Sequence, residues 1–258
     1  MFSRIFSYIN FLIQSKNQHG VHSPFVFNLL TQCIYDKKEF SGFQVVRNYR
    51  KELLENNQYI EVTDFGAGSK IFNSNKRKIA AVAKHAGISQ KRAKILVKLS
   101  SYFNFNQVLE LGTSLGIATC AISKGNEKSS ITTLEGCPET ASIAKQMFET
   151  YGLDNISTII GDFKQTYFNE VSKRTYDMIY FDGNHTKEAT LNYFNACLSS
   201  IHNNSVLIFD DIHWSQEMEE AWEEIKTHEK VTVTIDTYQW GFVFFRKEQQ
   251  KEHFIIRV

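Results

Sequence analysis

Acids that close apolar runs are the side chains in this sequence best placed to do chemistry. The run beginning at Val108 reaches Glu110, and Gly112, Thr113, Ser114 and Gly116 come directly after it. Glycines at such a turn let backbone approach a bound nucleoside closely. A second run from Ile131 ends in Glu135, 25 residues after Glu110. A carboxylate at that separation can accept both hydroxyls of a ribose. The phosphate-binding pattern G-x-G-x-x-G does not occur here. The turn therefore suits a nucleoside without phosphates, S-adenosylmethionine rather than NAD.

Three more carboxylates obey the same rule. The run Tyr176–Phe181 leads into Asp182, and Val206–Phe209 leads into Asp210 and Asp211. In an open α/β sheet the carboxyl ends of strands face the ligand crevice. Carboxylates converging there repel one another unless something compensates them. A hard divalent cation such as Mg²⁺ does so, with Asp182, Asp210 and Asp211 as its ligands. The plainer alternative is a set of solvated or helix-capping acids. His185, directly downstream, titrates in the range a general base needs, although a hydrogen-bonded loop histidine reads the same way. His213 and Trp214 read as walls of a substrate pocket, or as ordinary packing.

These acids need a frame. Strands are expected at about 107–111, 131–135, 156–160, 177–182 and 205–210, with helices at about 115–124, 138–151, 164–173, 186–200 and 215–228. Such alternation implies a parallel sheet covered by helices. Val231–Asp236 and Gly241–Arg246 are separated only by TYQW, too short for a crossover, so they should run antiparallel.

Residues 107–246 resemble class I S-adenosylmethionine-dependent methyltransferases. The FDG…DD spacing, 28 residues from Asp182 to Asp210, is similar to metal-dependent sugar O-methyltransferases of the macrocin type. It is similar more loosely to catechol and caffeoyl-CoA O-methyltransferases. The resemblance implies a Rossmann-like, mostly parallel seven-stranded sheet with an antiparallel C-terminal hairpin, plus a helical N-terminal region. It implies that Asp182, Asp210 and Asp211 hold Mg²⁺. It also implies that Asp162 of GDF accepts from the adenine amino group while Phe163 flanks the ring; helix capping is the alternative for Asp162. There are departures. The family's DGD is Asp182-Gly183-Asn184 here, and the Gly-Gly before its fifth strand is Asn203-Asn204, where Asn can still take the left-handed turn. The stretches HGVHSPFVFNLL and DFGAGS resemble an uncharacterised group of bacterial methyltransferases.

The division falls near residue 105, with a mainly helical cap or substrate region at 1–105 and a methyltransferase domain at 106–258. Phe2, Ile5, Phe6, Ile9, Leu12 and Ile13 share one helical face, suited to packing on the main domain or on a second subunit of a homodimer, with a membrane-surface helix as the alternative, disfavoured by the few basic residues on its polar face. Ser23 and Pro24 suit the start of a second helix. The loop Asp64–Ser69 competes with Gly112–Gly116 for the nucleoside, but no strand ending in an acid comes after it at the right distance. The residues downstream of that loop are basic and are expected to be helical. Residues 70–98 carry nine Lys or Arg and no Asp or Glu.

The chain has 258 residues, 42% of them hydrophobic, and a net charge of +1. Charge alone therefore draws it neither to nucleic acid nor to membrane. Four cysteines without C-x-x-C spacing imply a reducing compartment, and no apolar run reaches the roughly 18 residues of a span, so a cytoplasmic protein is expected. The function expected is O-methylation of a small hydroxylated molecule. The alternatives are an RNA methyltransferase that uses segment 70–98, and a nucleoside-binding protein without catalysis.

Overall fold

The computed structural model describes residues 2–63 and 74–258. The DFGAGS loop and Lys70 lie outside the described residues. In chain order the helices are α1 Phe2–Gln14, α2 Pro24–Leu29, α3 Ser41–Glu55, α4 Ile79–His85, α5 Gln90–Phe103, α6 Ile117–Gly125, α7 Pro138–Thr150, α8 Phe163–Val171, α9 Lys187–Cys197 and α10 Gln216–Thr227. The strands are β1 Tyr59–Glu61, β2 Lys76–Lys78, β3 Gln107–Leu111, β4 Ser130–Glu135, β5 Ile156–Ile160, β6 Tyr176–Phe181, β7 Ile201–Asp210, β8 Val233–Asp236, β9 Trp240–Phe244 and β10 Glu252–Ile255. The chain forms two compact units. A central unit runs from Lys37 to Glu170, and a terminal unit combines Met1–Asp36 with Val171–Val258.

In the central unit β3, β4 and β5 pair in parallel, each crossover made by a helix. Val108 to Leu111 are all buried, as expected of a parallel strand covered on both faces. The segment Lys76–Lys78, expected to be helical, is instead a strand paired antiparallel to β1. Pairing gives Ile79 N–H and Val62 N–H acceptors at Gln58 and Asn75, which a helix over these residues would not supply.

In the terminal unit the strand order is β10-β8-β9-β7-β6. β6 and β7 are parallel, and β8 and β9 form the expected antiparallel hairpin. β10 pairs in parallel with β8, which brings β3–β10 to eight strands where seven were expected. Asn203 and Asn204 are not left-handed. They lie within β7, where the register with β6 shifts and the Ser205 hydroxyl accepts the His202 N–H at 2.8 Å. This irregularity takes the place of the glycine-like turn.

Ser23 caps α2 and Pro24 occupies its first turn, as read from the sequence. The HGVHSPFVFNLL stretch is a packing element. Val26, Leu29 and Leu30 are fully buried, Phe25 meets Phe244 edge-on, and the Arg246 guanidinium covers the Phe25 ring at 4.7 Å. In α1 the expected apolar stripe is largely outward, with Phe6 68% and Ile13 77% exposed. The inward side instead carries Phe11, with Tyr8 edge-on to Tyr238 at 4.8 Å. Backbone bonds from Lys16 N–H to Ile255 and from Arg257 N–H to Lys16 join the two ends of this unit. All four cysteines are buried thiols, and no described helix is long and apolar enough to cross a membrane.

Candidate functional site

In the central unit the strand register decides what meets what. Leu111 pairs with Leu134 and Glu135 with Ile160, so the turn after β3, the acid ending β4 and the residues after β5 lie at one edge. Gly112 N–H and Thr113 N–H both donate to the Leu134 carbonyl, at 2.9 and 3.1 Å. Gly112 sits at φ 97° and Ser114 at φ 49°, and this left-handed pair folds the chain back. Ser114 N–H then donates to Glu135 Oε2 at 2.6 Å, while Cys137 N–H donates to Oε1 at 2.9 Å. The carboxylate is thereby fixed beside the turn. Burial raises the Glu135 pKa, against hydrogen bonds from Cys137, Ser114, Thr140 and Gly136.

Glu110 has a different environment. It is fully buried, and Oε2 accepts from the Thr119 and Thr133 hydroxyls. Its Oε1 has no partner among the described residues. Burial pushes Glu110 up to about 7, with the two threonine bonds opposing and Glu135 adding to the rise. Its position supports the turn from beneath, since Thr133 also meets Thr113 Oγ1 at 2.5 Å. Gly116 faces protein. A Cβ there would lie 2.5 Å from Phe148 and 2.6 Å from the Tyr49 hydroxyl. Tyr49, buried in α3, donates to the Leu115 carbonyl and closes the turn from behind. Sequence reading missed Tyr49, Thr119 and Thr133. The two threonines were the detectable ones, since each stands within helix or strand reach of Glu110. Asp162 is exposed and accepts from Lys164 N–H at 2.9 Å, the capping geometry, with Phe163 half-buried next to it.

In the terminal unit Asp182 and Asp210 come directly after the paired residues Phe181 and Phe209. The Tyr180 hydroxyl lies 3.3 Å from a carboxylate oxygen of each. One hydroxyl proton cannot serve both at once, so Tyr180 is shared between the two acids. Tyr180 was legible: it stands two residues before Asp182, on the same strand face. Asp210 is 5% exposed and its other oxygen accepts Asp211 N–H at 2.9 Å. Asp211 and Asn184 both adopt positive φ, 55° and 54°, turning the chain sharply after each strand. His185 Nε2 is 3.7 Å from Asp182 Oδ1. No group of three or more His, Cys, Asp or Glu side chains among the described residues is arranged to hold a metal ion. Asp182, Asp210 and Asp211, the expected Mg²⁺ ligands, do not form such a group.

His213, expected as a pocket wall, does line a cavity. Its Nδ1 lies 2.9 Å from Glu219 and its Nε2 2.8 Å from Asp236, with Tyr238 stacked on the ring at 5.0 Å. Burial pulls His213 down, but the bonds and charges of Asp236 and Glu219 outweigh it and hold the group above its ordinary value. In the basic stretch, Lys76 and Lys78 lie 5.8 and 5.7 Å from the Tyr59 ring, and Lys94 lies 4.8 Å from Phe43. These cations cover aromatic faces of the protein itself.

A parallel sheet with a glycine turn after one strand, an acid ending the next and a closing antiparallel hairpin defines the class I methyltransferase fold. Residues 109–212 match the family model described as Methyltransferase domain. Solved structures with this fold include an SAH-bound methyltransferase from Podospora anserina, 13% identical, with a TM-score of 0.61, covering 88% of this chain and 97% of that one. An O-methyltransferase from Bacillus cereus in complex with SAH is 17% identical, with a TM-score of 0.53 and coverage of 80% and 90%. A putative caffeoyl-CoA O-methyltransferase from Staphylococcus aureus is 19% identical, with a TM-score of 0.54 and coverage of 61% and 84%. No curated protein matches the chain.

Proposed function

We propose that the chain transfers the methyl group of S-adenosylmethionine to a hydroxyl oxygen of a small molecule. The observation that carries this reading is Glu135, the acid ending β4, held by Ser114 and Cys137 beside the Gly112 turn. In this proposal the ribose hydroxyls donate to Glu135, and Gly112, Thr113 and Ser114 lie along the nucleoside. Asp162 and Phe163 hold the adenine, and Glu110 and Gly116 shape the turn. Similar structures with bound SAH support the cofactor.

Methyl transfer is an in-line displacement. The C–O bond forms as the S–C bond breaks, leaving S-adenosylhomocysteine, and the acceptor oxygen loses its proton. The acceptor must be held about 3 Å from the methyl carbon. We assign the proton to His185, with the Asp182 carboxylate 3.7 Å away to favour the imidazolium that forms. Divalent-metal assistance, which the family resemblance implies, has no step here, because the three aspartates do not form a donor set. Residues 1–105 are assigned to acceptor recognition, apart from the methyl-transfer domain at 106–258.

The test is calorimetry with S-adenosylmethionine on Glu135→Ala. Losing charge-assisted bonds should cost about 2–4 kcal/mol, or roughly 30- to 900-fold in Kd. Unchanged affinity in the folded variant would remove the basis of the proposal.

A further inference from the structure

From Ile5 to Ile13 the side of α1 turned away from the protein is apolar. Ile5, Ile9 and Ile13 recur every fourth residue, so they stand one above another along the helix, and Phe6 lies beside them. Ile5 is 52%, Phe6 68%, Ile9 46% and Ile13 77% exposed. A helix on a protein surface ordinarily turns a polar face to water. Here the helix is held so that it does not. On its other side Phe11 is buried, and the Ser7 hydroxyl donates to Glu219 at 2.5 Å. Tyr8 meets Tyr238 edge-on, and the Arg257 guanidinium donates to the Leu12 carbonyl at 3.1 Å. The apolar ridge is therefore presented on an anchored helix, and a partner that covers it has no helix to order first.

Charge and area indicate the partner. No residue from Ile5 to Ser15 is charged. Two copies of the ridge can meet about a two-fold axis without bringing like charges together, as a self-complementary interface requires. A membrane surface suits it less. The ridge has no cation for anionic headgroups, and the cavity wall beside Phe6 and Gln14 sets Glu219, Glu223 and Asp236 against Lys226 and His213. A fully open side chain of this size offers about 200 Å², so the four exposed fractions amount to roughly 500 Å². Pairing two such ridges removes about 1,000 Å² from water, the lower limit for a specific interface.

We propose that a second copy of this chain covers the ridge, with α1 packed on α1 in a reversible homodimer. The Ile5–Ile9–Ile13 row of one protomer fits the groove beside the same row of its partner, the packing that crosses two helices at about −50°. Ile9 is midway along the row and lies nearest the two-fold axis. The association does not depend on methyl transfer.

Sedimentation equilibrium of the full chain tests this. A monomer–dimer equilibrium with a Kd on the order of 10 μM is expected, as suits a small interface. Ile9→Glu and Ile13→Glu should each raise that Kd about a hundredfold, because each buries an unpaired carboxylate. Both positions are exposed in one chain, so the circular dichroism of the variants should match that of the natural protein. A short bismaleimide should join two Ile9→Cys chains covalently and should spare Asn10→Cys, which points about 100° away round the helix. The four native cysteines are buried and do not compete. A chain that stays monomeric throughout the micromolar range overturns the proposal. So does a dimer unchanged by Ile9→Glu and Ile13→Glu, or equal crosslinking of the two cysteine variants. Flotation of a monomeric chain with phosphatidylcholine–phosphatidylglycerol vesicles, lost in Ile9→Glu, would assign the ridge to a lipid surface instead.

Discussion

Glu110→Gln probes the support beneath the glycine turn through its pH dependence. Burial lifts Glu110 from 4.5 to about 7 in the folded chain. Between those values the native state keeps a proton that the unfolded chain has released. Stability therefore falls as pH rises through this window, and it does not return above it. With 1.36 kcal/mol per pKa unit, the loss is about 1 kcal/mol at pH 5 and about 3 kcal/mol at pH 8. Gln carries no charge at either pH, and its carbonyl can still accept from Thr119 and Thr133. The amide would occupy the place of the unpartnered oxygen, adding an offset that is the same at both pH values. Urea unfolding of both proteins at pH 5 and pH 8 isolates the effect. The stability of the natural chain minus that of the variant should fall by about 2 kcal/mol between them. An equal difference at the two pH values would refute the burial argument.

Gly116→Ala should lower stability by about 2–4 kcal/mol, since φ is +77° and the new methyl would strike Phe148 and Tyr49; an unshifted thermal midpoint would contradict this. His213→Gln should destabilise the fold more at pH 6 than at pH 9. The imidazole is held above its ordinary value, so its contribution is complete below the unfolded pKa and fades as pH rises through the folded one. Equal losses at both pH values would show that the carboxylate clamp contributes nothing. Methyl-transfer turnover should be the same in EDTA as in millimolar Mg²⁺; suppression by EDTA with recovery on adding Mg²⁺ would restore the three aspartates as a metal set.

The strands from Gln107 to Asp210 were legible because each is a continuous apolar run closed by an acid or a turn. In β3, β6 and the second half of β7 that is the pattern of strands buried on both faces, whereas β5 is half-exposed. The hairpin was legible from its four-residue link. β10 was not, because Glu252 and His253 are polar and only its pairing with β8 makes it a strand. β1 and β2 were hidden for a similar reason: Lys76-Arg77-Lys78 has no apolar alternation, and hydrogen bonding to Tyr59–Glu61 overrides its composition. In α1 the apolar stripe was expected to pack on the main domain or on a second subunit, and within this chain it lies largely outward. Periodicity says which residues share a face, and not which face the rest of the chain covers. At the site, Glu110, Gly112 and Glu135 stood out as residue types at a spacing. The donors that fix them, Ser114 and Cys137 through backbone N–H, carry no side-chain signature.

The terminal unit takes Met1–Asp36 from one part of the chain and Val171–Val258 from another, while the central unit is continuous. During synthesis this imposes an order. Lys37–Glu170 can close on itself while the rest is still being made. Residues 2–36 cannot, because Lys16 and Tyr35 hydrogen-bond near Ile255 and Arg257, made only after the central unit is complete. From Asp36 to Val171 the ribosome needs roughly 7–27 s at ordinary elongation speeds, and longer to reach Arg257. Through that interval α1 and α2 are amphipathic helices without their partner. Slowing translation between the codons for Val171 and Arg257 should therefore lengthen the exposure of the first segment, and chaperone demand should track the rate at which those codons are read.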